Sequence, residues 1–207
     1  MWKLIRTVVY IRKYANKKIN IKDCIKVEKG RIWFMGGIDC VLMTVDSWGG
    51  LIKGLLKIHG PAILSTMREA YKKNGFEEMN AGKKIVPREK LGALFDMWIE
   101  TGFVGKILNI KIGRDEELKE VPDMNSAFQE LLRSKDINKL IVRVKDSFSV
   151  RALKSVKLKT NFPACIIEPS HTCGALEALV GGRWFVEETF CQAKGDRFCE
   201  WMFRKEK

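Results

Sequence analysis

Short β-branched and aromatic runs open the chain. Val8 and Val9 within residues 2 to 12, then Ile19, Ile21, Ile25, Ile32 and Trp33 within residues 19 to 35, predict strands or extended segments. Gly36 and Gly37 interrupt them. From Ile38 to about Leu56 the period changes, because Val41, Leu42, Val45, Trp48, Ile52 and Leu55 recur at helical spacing. Gly49, Gly50 and Gly54 lie inside this helix; each weakens it by up to about 1 kcal/mol and permits close approach of another helix or a ligand. Pro61 suits the first turn of a second helix with Ile63, Leu64, Met67, Ala70 and Tyr71 on one face and Asn74-Gly75 as its end. The polar residues 75 to 90 read as a solvated connection. A third helix is predicted from Pro87 to about Glu100, with Leu91, Leu94, Phe95, Trp98 and Ile99 buried and Gly102 as its stop.

The second half reads as a mixture of strands and helices. Residues 103 to 112 alternate loosely into a strand, and Met124 to Arg133 forms a short helix after Pro122. Leu140 to Val150 is the clearest strand, since Ile141, Val142 and Val144 alternate with basic partners. Ile166 to Val180 is a helix in which Pro169 falls in the first turn, where a missing N–H is tolerated, and Gly181-Gly182 end it. Arg183 to Ala193 and Phe198 to Phe203 form a hairpin around the tight turn Lys194-Gly195-Asp196. Neither an internal repeat nor a low-complexity linker divides the chain.

Composition then sets the class. A chain of 207 residues, 46% hydrophobic and 30% charged, is long enough for one domain with a substantial core, and a single domain spanning residues 1–207 is expected, its residues 1–35 a strand-rich elaboration. No segment is apolar for long enough to cross a bilayer. The first residues, Met1-Trp2-Lys3-Leu4-Ile5-Arg6, carry charge within their apolar run and lack a small-residue cleavage site, so a cytoplasmic location is expected. The net charge of +13 invites a nucleic-acid reading. Its spread over many segments, with no helix-turn-helix or RNP-like aromatic pair, argues against one.

The candidate chemistry lies in the last fifth of the chain. Glu188-x-x-Cys191 followed by Gly195-Asp196 and Cys199 lets a hairpin present a carboxylate and two thiols to one point. A fourth ligand from a separate segment would close a tetrahedron, the geometry of a structural zinc site. Cys165 and Cys173 are the thiols available for that place, Cys165 at the entrance of the C-terminal helix and Cys173 two turns deeper. Cys24 and Cys40, in apolar surroundings, read as small core residues, and the absence of Cys-x-x-Cys argues against a redox pair. His59 sits at the end of the first long helix and reads as structural, as does His171 beside Cys173. Glu187 and Glu188 are adjacent on a strand, point to opposite faces and cannot cooperate as acid and base. With no nucleophile triad, phosphate loop or dinucleotide fingerprint, nothing marks the chain as an enzyme.

Residues 165 to 203, and above all Glu188-x-x-Cys191, Gly195-Asp196 and Cys199, resemble the 4-vinyl reductase domain, found in archaeal hydrocarbon-binding proteins and in aromatic-responsive bacterial activators. The resemblance implies an α/β (α+β) fold with helices on a mostly antiparallel sheet, similar to the Golgi-transport ligand-binding subunits, with residues 140–207 as its core. It implies a structural Zn2+ held by Cys165, Glu188, Cys191 and Cys199, with Cys173 as the competing ligand. Such a site carries a net charge of about −2, which Arg183, Lys194 or Arg197 would offset. It further implies a homodimer that binds or senses an apolar or aromatic small molecule. A reductase-associated role in tetrapyrrole chemistry and a ligand-free dimeric scaffold are the alternatives.

Overall fold

The computed structural model describes residues 25–28, 31–34, 38–40, 44–83, 92, 95, 99 and 103–206. Strands β1 (Ile25–Glu28), β2 (Arg31–Phe34) and β3 (Ile38–Cys40) form an antiparallel three-stranded sheet in that order. The predicted strand at residues 2 to 12, and Cys24, lie outside the described residues. The helix expected to begin at Ile38 starts later, because residues 38–40 pair with β2. Helix α1 (Val45–His59) begins where Thr44 caps it, its hydroxyl accepting from the Ser47 N–H at 3.1 Å, with Asp46 in the positive first turn.

A 3-10 turn at Gly60–Ala62 holds Pro61 and leads into helix α2 (Ile63–Lys83). That helix does not stop at Asn74-Gly75. It continues through residues expected to be a loop, because Gly75 is where it crosses the C-terminal helix: a Cβ there would fall on the His171 carbonyl. Phe95 and Ile99 are helical, as expected, whereas most of the predicted helix from Pro87 to Glu100 lies outside the described residues.

Strands β4 (Lys106–Arg114) and β5 (Glu117–Val121) form a hairpin whose second strand the hydrophobic pattern does not reveal. Its sequence, Glu-Leu-Lys-Glu-Val, is that of a charged edge strand, which carries little alternation. Helix α3 (Met124–Arg133) is capped by Asp123, which accepts from the Ser126 N–H at 2.6 Å, and it buries Phe128 in a stack on Phe95 with ring centroids 3.9 Å apart.

Strand β6 (Lys139–Lys145) is shorter than the alternation predicted. Asp146 turns the chain in the left-handed region (φ 54°), and the Ser147 hydroxyl caps helix α4 (Phe148–Ser155), which the basic run around Arg151 conceals. Helix α5 (Ile167–Val180) and the hairpin strands β7 (Trp184–Phe190) and β8 (Cys199–Lys205) complete the chain. The second sheet is antiparallel throughout, in the order β5-β4-β6-β8-β7, and helices pack against it in an α+β fold. Leu140, Val142 and Val144 of β6 face the core beside Phe203, Trp201 and Cys199 of β8.

Helix α5 is buried on nearly every side, as a helix must be when it lies between a sheet and another helix. Its outer side meets α2, backbone against backbone: Gly174 leaves room for the Lys72 carbonyl as Gly75 does for that of His171. Among the described residues no helix is long and apolar enough to span a membrane.

Candidate metal centre

Cys165 stands at the mouth of α5, just before its first turn, and its segment runs under the end of the β7–β8 hairpin. Pairing of β7 with β8 sends Glu188 inward and leaves Glu187 exposed, the alternation expected of a strand. The register shifts between Glu188 and Phe190, and Cys191 follows just past the strand, within the turn and not on the strand as expected. Asp196 holds that turn: its carboxylate accepts from the Cys191 N–H at 2.8 Å while its own N–H donates to the Cys191 carbonyl at 3.3 Å. Gly195 sits at φ 109°, a conformation that other residues rarely adopt, so the Gly-Asp pair is a requirement of the turn. Cys199 opens β8 opposite Val144 of the central strand.

These elements bring Cys165, Glu188, Cys191 and Cys199 together, their candidate ligand atoms all within 4.8 Å of one another. All four are buried, at 1%, 9%, 0% and 0% exposure, so the cluster is not a chance gathering of surface acids. The Sγ atoms of Cys165 and Cys199 are 3.5 Å apart. Cys173 lies elsewhere. Its thiol donates to the Trp184 carbonyl at 3.2 Å, and burial pushes its pKa up to about 12.

Among the described residues, backbone donors and not basic side chains face the cluster. The Ala164 N–H lies 3.5 Å from the Cys191 sulfur, the Gln192 N–H 3.3 Å from that of Cys199, and the Cys165 N–H donates to Glu188 Oε2 at 3.0 Å. The expectation that Arg183, Lys194 or Arg197 offsets the charge finds no such contact among the described residues. Arg183 instead pairs with Glu206 and lies over the Phe185 ring.

Protein groups alone leave the cluster incompletely satisfied. Burial raises the pKa of Cys165 well above its ordinary value, and burial followed by the nearby Cys191 raises Glu188. Hydrogen bonds from the Cys165 and Cys199 thiols lower Cys191. At Cys199 the bond from Cys165 pulls downward, but Cys191 and burial outweigh it and the pKa rises. Glu188 Oε1 is buried with no hydrogen-bond partner, a costly state for a carboxylate oxygen. A metal ion would satisfy that oxygen and let the thiols ionise together, so the donor set fits one and could hold it.

Two further places matter. Between α5 and the sheet lies an enclosed apolar cavity of about 10 Å3, lined by Phe95, Ile99, Val104, Met124, Val142, Thr172 and Trp201. The Trp201 indole N–H is buried without a partner. Phe95, expected on the buried face of its helix, lines this cavity, whereas Trp48 packs against Tyr71 and Phe148. His171 is paired with Glu78, Nε2 to Oε2 at 2.8 Å, and is not part of the cluster. His59 is exposed in the last turn of α1.

No protein-family model matches this sequence, and no curated protein does. Among solved structures, the crystal structure of the phenol-responsive sensory domain of the transcription activator PoxR with phenol is similar to this chain, with a TM-score of 0.62 over 94% of this chain and 90% of that one. At 16% identity, the likeness shows that the two chains share a fold.

Proposed function

We propose that this chain is a zinc-containing, small-molecule-binding or sensing protein of the 4-vinyl reductase type, its ligand an apolar or aromatic compound. The observation that carries the reading is the buried cluster of three thiols and one carboxylate with an orphaned Glu188 Oε1. Zinc suits it: three soft ligands and one hard one in a redox-inert tetrahedron, with Zn–S bonds of about 2.3 Å and hence sulfurs about 3.8 Å apart. The 3.5 Å separation of Cys165 and Cys199 is close to that requirement. The ion would tie the entrance of α5 to the terminal hairpin, a structural role that couples folding to metal binding.

Small-molecule binding is supported by the fold shared with a phenol-responsive domain and by the apolar cavity with a single unpaired indole donor. An apolar ligand with one acceptor oxygen would answer that donor. A cavity of about 10 Å3 holds one water at most, so the lining side chains must part to admit an aromatic ring. A homodimer, the form the family resemblance implies, remains part of the proposal.

Elemental analysis of the purified protein together with native mass spectrometry tests both halves. About one zinc per chain is expected. It should be lost from Cys191→Ser and Cys199→Ser and retained by Cys173→Ser, with an organic ligand carried or taken up by the parent. A stably folded, metal-free parent refutes the zinc site. A parent that takes up no aromatic compound refutes the binding role.

A further inference from the structure

Along the sequence the positive charge is scattered, yet the fold gathers part of it on one face. Residues 47–68 carry Lys53, Lys57 and Arg68, residues 147–167 carry Arg151, Lys154, Lys157 and Lys159, and neither segment contains an Asp or a Glu. The two segments are neighbours: α1 crosses α4 where Gly49 leaves room for the Ala152 carbonyl, and Lys53 Nζ donates to the Val156 carbonyl at 3.4 Å. Helix α1 buries Trp48, Gly49 and Ile52 and turns its other side outward. There Leu51 is 45% and Ile58 73% exposed, two helical turns apart and so on one stripe. Around the helix from that stripe come Gly50 and Gly54, with nothing within 4 Å of a would-be Cβ, and then the exposed Lys57 and Lys53. The exposed Lys154, Lys157 and Lys159 continue the basic strip on α4 and just past it, Lys154 being paired with Asp146 at 2.8 Å.

An exposed aliphatic stripe beside a basic strip without acids calls for a partner that is anionic at its surface and apolar beneath. A second copy of the chain would set Lys53 and Lys57 against their own kind. Nucleic acid would answer the lysines but not Leu51 and Ile58, and no aromatic ring on which a base could stack is among the exposed residues of either segment. We propose that this face docks on the surface of an anionic lipid bilayer, Leu51 and Ile58 entering the boundary between headgroups and acyl chains while Lys57, Lys157 and Lys159 meet lipid phosphates. Such a contact lies on the membrane and needs no spanning helix. The inference goes beyond the binding role proposed above and does not rest on it, since it requires neither the metal nor an occupant in the chamber beside Trp201.

Co-sedimentation of the purified full chain with lipid vesicles is the test. Vesicles of equal parts phosphatidylcholine and phosphatidylglycerol should carry the protein down, and vesicles of phosphatidylcholine alone should leave it in solution. Joint replacement Lys57→Gln and Lys157→Gln should weaken binding by about twentyfold to thirtyfold, because each basic residue near an anionic leaflet contributes about fivefold. Ile58→Ser should weaken it by about tenfold, the lower end for withdrawing one aliphatic side chain from an apolar medium. Lys119→Gln with Lys135→Gln, on β5 and in the turn after α3, removes the same charge far from this face and should bind as the parent does. All of these positions are exposed, so the variants should fold as the parent does. The proposal is overturned if the anionic vesicles do not carry the parent down, or if the two lysine pairs weaken binding equally, which would make the contact one of net charge alone. It is also overturned if Ile58→Ser binds the vesicles as the parent does, an outcome that would leave a basic surface suited to any polyanion, nucleic acid included.

Discussion

Replacing Gly174 by alanine should destabilise this protein, although alanine is the better helix former. In a free helix the change is worth about 1 kcal/mol in alanine's favour. In this fold Gly174 faces α2 so closely that a Cβ would overlap the Lys72 carbonyl and crowd the Phe76 N–H, both backbone atoms that no rotamer change can move. The two helices would have to separate along a contact that buries most of α5. Overpacking of this kind costs about 3 kcal/mol at the upper end of its usual range. Subtracting the helix gain leaves a net loss of about 2 kcal/mol. For a chain of this length that lowers Tm by about 4–8 °C. Gly54, on α1, has nothing within 4 Å of its would-be Cβ, so Gly54→Ala should raise Tm by about 2–4 °C. Thermal unfolding of the two variants beside the parent reads the contrast. A Gly174→Ala protein as stable as the parent, or more so, would show that the close crossing of α2 and α5 does not exist in solution.

Three other outcomes follow from the same packing. Cys173, its pKa near 12, should resist alkylation by iodoacetamide at pH 8 in the folded protein and react on unfolding; rapid labelling of the native state, read by mass spectrometry, would contradict its burial against Trp184. Glu168 is fully buried, and burial raises its pKa despite bonds from the Ser149 N–H and hydroxyl, so it holds its proton more tightly folded than unfolded. Its contribution is therefore complete below the ordinary glutamate pKa and falls as pH rises through the raised folded value, so urea midpoints of the metal-loaded parent should decline over that window and those of Glu168→Gln should decline less. Phe128→Ala, which empties the stack on Phe95, should cost about 3–5 kcal/mol by urea denaturation; a loss under about 1 kcal/mol would contradict the burial of α3.

Much of the architecture was legible without coordinates because it rests on local chemistry. The apolar period of Met124 to Arg133, the stop at Gly181-Gly182, and the Gly-Asp turn between Cys191 and Cys199 are short-range features, and each appears where the spacing predicts. The inward Glu188 and outward Glu187 follow from strand alternation alone. Long-range partners were not legible. Asn74-Gly75 has the signature of a helix end, yet α2 runs through it, because that glycine's partner is the His171 carbonyl far along the chain. Strand β5 is too polar to declare itself and exists because β4 offers it an edge. Between Cys165 and Cys173 the spacing left the choice open. The approach of the α5 entrance to the hairpin places Cys165 beside Cys199 and sends Cys173 to Trp184. Sequence determined which residue types could form the cluster and on which short elements they lie. Only the tertiary structure decided which thiol joins it, which polar atoms are left unpaired, and where cavities open, since these depend on contacts between segments that no local pattern records.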